Sequence, residues 1–117
     1  MQHTIIKNAS IVNEGILIQG DLLISNDRIE KVGGSIDIKA RATEIDGTGL
    51  HVLPGVIDDQ VHFREPGLTH KANIYSEAKA AVAGGTTSFM EMPNTNPATT
   101  TIEFLEEKYK IAAVNSA

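Results

Sequence analysis

Two short runs hold the side chains best suited to chemistry. "DDQVHFREPG" at 58–67 is an acidic and apolar run that ends in His62, Arg64 and a Pro-Gly turn. A second run, "PNTNPA", places Asn94 directly after an apolar stretch. An imidazole can coordinate a metal, a guanidinium offers a fork of donors, and an amide both donates and accepts. The first run is therefore typical of a metal-dependent active site, although Gln60 stands where a second histidine would be expected.

The elements that must position these side chains follow from the pattern after residue 52. The stretches 55–63 and 86–92 read as strands, and each is followed by a loop and a helix. Short connections between alternating strands and helices favour a parallel sheet with right-handed crossovers. Ligands bind at the carboxyl ends of such strands, so the histidine, arginine and asparagine named above should open onto one face.

Helix signals support this order. Asn73 predicts the N-cap of the first helix, and Gly84 with Gly85 predicts its end. Thr100 and Glu103 have the spacing of a capping box at the second helix, whose "EFLEEKYK" reads as a solvated face. The apolar stripes predicted to pack are Ile74, Ala78, Ala81 and Val82 in the first helix and Ile102, Leu105, Tyr109 and Ala112 in the second.

Alternation along the first strand sorts its polar residues. Gln60, His62 and Arg64 should lie on one side, with Asp59 and Val61 on the other. A polar side on a buried strand needs partners, such as a metal, a ligand or neighbouring strands.

The preceding half has a different character. Residues 1–52 contain about five short strand-like runs, with turns predicted at "SND" and at "GTG". The sequence thus predicts an α/β protein with a β-rich N-terminal domain at 1–52 and strand–helix units at 53–117.

Composition excludes several classes of protein. The net charge of −5 and the absence of a basic run argue against binding to nucleic acid or to a membrane surface. A hydrophobic fraction of 41% is enough for a packed core. The chain has no cysteine, no visible signal peptide and no apolar run near the ~20 residues of a membrane span, so we expect a soluble cytoplasmic protein.

Both motifs resemble one family. "LPGVIDDQVHFREPGLTHK" resembles the first barrel strand of dihydroorotases in the amidohydrolase superfamily, where the strand reads Asp-x-His-x-His-x-Arg before a Pro-Gly turn. "GGTTSFMEMPNTNP" resembles the Met-Pro-Asn-Thr segment of the same family. The resemblance implies a TIM-barrel enzyme, a homo-oligomer, that reversibly hydrolyses L-dihydroorotate to N-carbamoyl-L-aspartate in pyrimidine biosynthesis.

The resemblance also implies roles for single residues. His62 would ligate Zn²⁺, which polarises the amide carbonyl and lowers the pKa of bound water to roughly 7. Arg64 and Asn94 would hold the substrate carboxylate, and Asp58 would have a supporting role. Hydantoinases lack this arginine.

Gln60 departs from the family pattern, because it occupies the position of the first histidine ligand. An amide oxygen suits harder cations better than zinc. Three outcomes stay open: a site with one metal, coordination through the Gln60 oxygen, or a relative without activity. The alternatives are therefore a non-catalytic scaffold or subunit, or another cyclic amidohydrolase of the hydantoinase or allantoinase type. Asp59 could compensate only if the strand is bulged.

Length is the second departure. A complete barrel has eight strand–helix units in about 250 residues, and this chain has two such units. We therefore expect the catalytic aspartate and the later metal ligands to lie outside this chain. On its own, the chain should lack activity and should not bind zinc tightly.

Overall fold

The computed structural model describes residues 2–117, which divide after Pro54 into two units. The first unit contains five strands, β1 His3–Asn13, β2 Ile16–Ser25, β3 Arg28–Val32, β4 Ala42–Asp46 and β5 His51–Val52. The second contains two strands and two helices, β6 Val56–Val61, α1 Ile74–Ala83, β7 Thr86–Glu91 and α2 Ile102–Asn115. The predicted β-rich start and β-α-β-α order are confirmed. Neither helix in this described part is long and apolar enough to span a membrane.

The first unit is a single sheet in the order β3-β2-β1-β4, with β5 pairing onto the far end of β1. The "SND" and "GTG" turns both form. Asn26 has a φ of 55° between β2 and β3, and Leu50 N donates to Gly47 O at 2.9 Å. Two clusters of buried apolar side chains centre on β1, one around Ile5 and the other around Ile11.

A buried carboxylate fixes an irregularity in this sheet. β1 carries an extra residue where its register with β2 shifts, and Asn8 there adopts a φ of 61°. The Asp21 carboxylate accepts from the backbone N–H groups of Ile36 and Asn8 and from Lys7 Nζ. These hydrogen bonds lower the pKa of Asp21 to about 2, and the bond from the Ile36 amide has the largest effect.

The second unit is built on the parallel pair β6 and β7. Its core lies between this pair and the helices. Val61 and Phe63 pack with Ile74 and Ala78 of α1, and Phe89 lies with its ring centroid 4.5 Å from that of Phe63. Ile57 and Met90 of these two strands lie outside this core and are 66% and 58% exposed.

The start of α1 follows the prediction. Asn73 accepts from Ser76 N at 2.9 Å, and Gly84 forms the C-cap. Of the predicted apolar stripe, Ile74, Ala78 and Ala81 pack in the core, but Val82 is 54% exposed.

The start of α2 corrects the prediction by one residue. The N-cap is Thr101, which accepts from Phe104 N at 3.3 Å, and no capping box forms between Thr100 and Glu103. The predicted apolar stripe is largely exposed, with Ile102 at 75%, and only Ala112 packs against the core. The helix is instead turned so that Lys108 is buried, because its ammonium forms a salt bridge with a carboxylate of β7.

Candidate active site

The end of β6 is bulged. Asp58 pairs with Phe89 and Val61 with Glu91, so three steps along β6 match two steps along β7. The Asp58 carboxylate accepts from Gln60 N at 3.1 Å and closes the short loop that the extra residue makes. A bulge of this kind re-aims the side chains beside it.

Burial alternates from Val61 to Phe63, beyond the bulge, as the sequence predicts. Val61 and Phe63 are buried against α1, whereas Gln60 and His62 are exposed. Asp59, which was expected to share the side of Val61, is exposed, whereas Val61 is buried. The two positions differ in burial because the extra residue of the bulge lies between Asp58 and Val61 and interrupts regular pairing there.

His62 contacts the loop that follows β7. Its Nδ1 lies 3.0 Å from Asn94 Oδ1. An amide oxygen accepts, so this contact is a hydrogen bond in the tautomer with the proton on Nδ1, and that tautomer leaves the Nε2 lone pair for a metal. The two motifs that the sequence places far apart therefore meet at the carboxyl ends of adjacent parallel strands.

Arg64 takes an unusual backbone conformation. Its φ is 70°, the left-handed region that non-glycine residues enter at a cost of about 1–2 kcal/mol. The Glu91 carboxylate stabilises this turn, since its Oε1 accepts from Phe63 N at 3.1 Å and from Arg64 N at 3.2 Å. The Arg64 side chain is half-buried and forms no salt bridge within residues 2–117.

Glu91 is itself held by a lysine of α2. Its Oε2 forms a salt bridge with Lys108 Nζ, and that ammonium also donates to Met92 O at 3.3 Å. Both side chains are almost inaccessible, with 5% of Glu91 and 8% of Lys108 exposed. Sequence reasoning missed this pair, because Lys108 stands among charged residues that resemble a solvated helix face.

The two loops beyond the strands are also joined. Asn96 N donates to Pro66 O at 3.1 Å. Gly67 has a φ of 82°, and a Cβ there would lie 1.9 Å from Asn96 O, so no larger residue fits this crossing. Glu65 completes the arrangement by accepting from Ile74 N at 2.9 Å, at the start of α1.

The side chains available for a metal are few. Within residues 2–117 no group of three His, Cys, Asp or Glu side chains is close enough to hold an ion. The free Nε2 of His62 suits zinc, and the exposed Gln60 amide could add one weak oxygen donor. The donor set thus fits part of a zinc site, which typically needs three protein ligands and an open position.

Comparison with known proteins places these features in a family. Residues 49–116 match the sequence profile described as Dihydro-orotase-like. The dihydroorotase of Streptococcus thermophilus is 44% identical over 111 residues, which are 93% of this chain and 26% of that protein. The dihydroorotase of Lactococcus lactis subsp. lactis is 49% identical over 92 residues, or 79% of this chain and 22% of the relative.

A solved structure shows the same fold. The L-hydantoinase of Arthrobacter aurescens superposes with a TM-score of 0.87 at 32% identity, covering 96% of this chain and 25% of that enzyme. The chain thus spans about a quarter of the length of the curated relatives it matches. Since the profile match covers more than half of its residues, the chain belongs to the dihydro-orotase-like family.

Proposed function

We propose that the complete protein containing this chain is a zinc-dependent cyclic amidohydrolase that opens and closes dihydroorotate, with carbamoyl aspartate as the other reactant. The contact between His62 and Asn94 carries this proposal, because it joins both motifs at the carboxyl ends of two parallel strands. The two dihydroorotases at 44% and 49% identity support this substrate.

His62 would bind zinc through Nε2, since Nδ1 is engaged by Asn94. Gln60 would be a second, weaker ligand through its oxygen. The remaining ligands and the catalytic aspartate would come from the part of the family's barrel that this chain does not span. Bound zinc would polarise the amide carbonyl and supply a hydroxide nucleophile.

Arg64 and Asn94 would bind the carboxylate of the substrate. The guanidinium matches a carboxylate through two parallel hydrogen bonds, and it has no protein carboxylate as a salt-bridge partner within the described residues. The Asn94 amide nitrogen stays available as a donor while its oxygen accepts from His62. A cyclic amide that carries a carboxylate would therefore be preferred over one that does not.

The fold alone also suits a hydantoinase, since an L-hydantoinase superposes at a TM-score of 0.87. The two functions differ in the charge of the ring substituent. We expect the complete, zinc-supplied protein to hydrolyse dihydroorotate with a kcat/KM at least about a hundredfold above that for uncharged dihydrouracil or hydantoin.

Turnover of the uncharged rings at equal or higher kcat/KM would assign the protein to the hydantoinase type. Absence of turnover on all three rings, with no zinc bound, would favour the non-catalytic scaffold. In both cases the dihydroorotate assignment would be wrong.

A further inference from the structure

We propose that the buried Glu91–Lys108 pair is a positioning device for substrate binding, through the backbone of Arg64. This inference rests on the proposed function, because it takes Arg64 as the residue that binds the substrate carboxylate. Glu91 and Lys108 themselves touch no substrate.

The contacts form a chain from α2 to the candidate site. Lys108 fixes Oε2 of Glu91, and Oε1 then faces the backbone beyond β6. That one oxygen accepts from two consecutive amides, those of Phe63 and Arg64. Consecutive amides converge on one acceptor only when the chain turns sharply, as it does at the φ of 70° of Arg64.

The direction of the Arg64 side chain depends on this turn. In extended backbone, the residue two places after His62 would continue along the strand. The left-handed conformation redirects its Cα–Cβ bond, and Glu91 accepts the N–H group that this conformation presents. Without the acceptor, relaxation of Arg64 to an ordinary φ would change the direction in which its guanidinium extends from the backbone.

A charged pair in this place is not needed for stability alone. Replacing a buried ion pair with apolar side chains of similar volume is often neutral or stabilising. Glu91 therefore has a more specific role, because it supplies an oxygen acceptor at a fixed point. Lys108 compensates its charge and orients it.

Two double variants of the complete protein distinguish the effect of the oxygen acceptor from the effect of the two buried charges. Glu91→Gln with Lys108→Met keeps an oxygen for the two amides and removes both charges. Glu91→Met with Lys108→Met removes the charges and the oxygen together. Neither leaves a buried charge without a partner, so both avoid the main cause of misfolding in the single variants.

We expect the Met/Met variant to have a KM for dihydroorotate at least about tenfold above that of the Gln/Met variant. Both should have similar kcat and zinc content, because a lost uniform contact raises KM alone. The difference should vanish when Arg64→Met is added to both, since the pair acts through that side chain. Asp21→Asn, which disrupts the partly buried ion pair between Lys7 and Asp21 in the other unit, should leave KM unchanged.

Equal KM values for the two double variants would overturn the inference. It would also be overturned if the difference kept its full size in the Arg64→Met background, because Glu91 would then act independently of Arg64. If Arg64→Met alone leaves KM unchanged, the proposed function fails first, and this result distinguishes the two failures.

Discussion

His62 Nδ1 lies 3.0 Å from Asn94 Oδ1, so a hydrogen bond between one residue of each motif joins the two motifs. This contact gives Asn94 a role in orienting the histidine, in addition to its proposed role in binding the substrate. Partners that orient a metal-binding histidine typically contribute 10–100-fold to metal affinity.

Two substitutions of Asn94 distinguish its role in orienting His62 from its role in binding the substrate. Asn94→Asp keeps an oxygen acceptor for His62 and adds a negative charge, so zinc should stay bound while dihydroorotate is repelled. Asn94→Ala removes the acceptor, and zinc affinity should fall by about tenfold. Zinc titration and substrate binding, measured on the complete protein, check both. If Asn94→Ala binds zinc as well as the unchanged protein, the contact does not orient a metal ligand.

Gln60 can be tested by restoring the histidine of the family pattern. Imidazole is a better zinc ligand than an amide oxygen, so Gln60→His should raise zinc affinity by at least about tenfold. Asp59→Asn is the matched variant, because the bulge leaves this neighbouring carboxylate exposed. A large loss of zinc in Asp59→Asn, with no gain in Gln60→His, would mean that Asp59 is the ligand instead.

Asp21 should stabilise the first unit in a pH-dependent way. Its pKa in the folded protein is about 2, below the ordinary value of 3.8. The stabilisation is therefore fully present above about pH 4 and is lost as the pH falls towards 2. Asp21→Asn should lower the free energy of unfolding near pH 7 by roughly 1.5–3 kcal/mol, and by much less near pH 2.

Denaturant unfolding at both pH values measures this difference. Asp27→Asn is the control, because that carboxylate is 85% exposed and should contribute little. An equal loss at pH 7 and at pH 2 in Asp21→Asn would show that the charge of Asp21 is unimportant.

The 117-residue chain by itself should be inactive and should self-associate. Within the described residues β7 pairs only with β6, and the apolar side of α2 is open at Ile102, Leu105 and Tyr109. Unpaired strand edges and exposed apolar surface favour association. Light scattering on the purified chain, with a turnover assay on dihydroorotate and added zinc, checks both statements. A monomer with measurable turnover would contradict them.

Much of the fold follows from local pattern. Asn73 and Gly84 are strong helix signals, and the alternation of strand and helix predicts the parallel pairing of β6 with β7. Two features do not follow from local pattern. The bulge at the end of β6 depends on pairing with β7, and the burial of Lys108 depends on Glu91, 17 residues away. Contacts between distant elements set both, so periodicity within one element cannot reveal them.

The candidate site divides in the same way. Parallel topology predicts that His62, Arg64 and Asn94 meet at one edge, and the hydrogen bond between His62 and Asn94 agrees with this for two of the three. The backbone turn at Arg64 could not be predicted from the sequence, because no glycine marks it and its stabilising carboxylate comes from β7.

The most direct test of the proposed function is the binding of dihydroorotate to the complete protein with Arg64→Met. Methionine keeps much of the side-chain length and removes the charge. A charge-assisted hydrogen bond to a carboxylate contributes on the order of 1.5–3 kcal/mol, so the Kd should rise roughly ten- to a hundredfold. Zinc content and the thermal midpoint should change little, because the side chain lies in no apolar cluster of the second unit. An unchanged Kd for dihydroorotate would contradict the carboxylate site and the substrate assignment that depends on it.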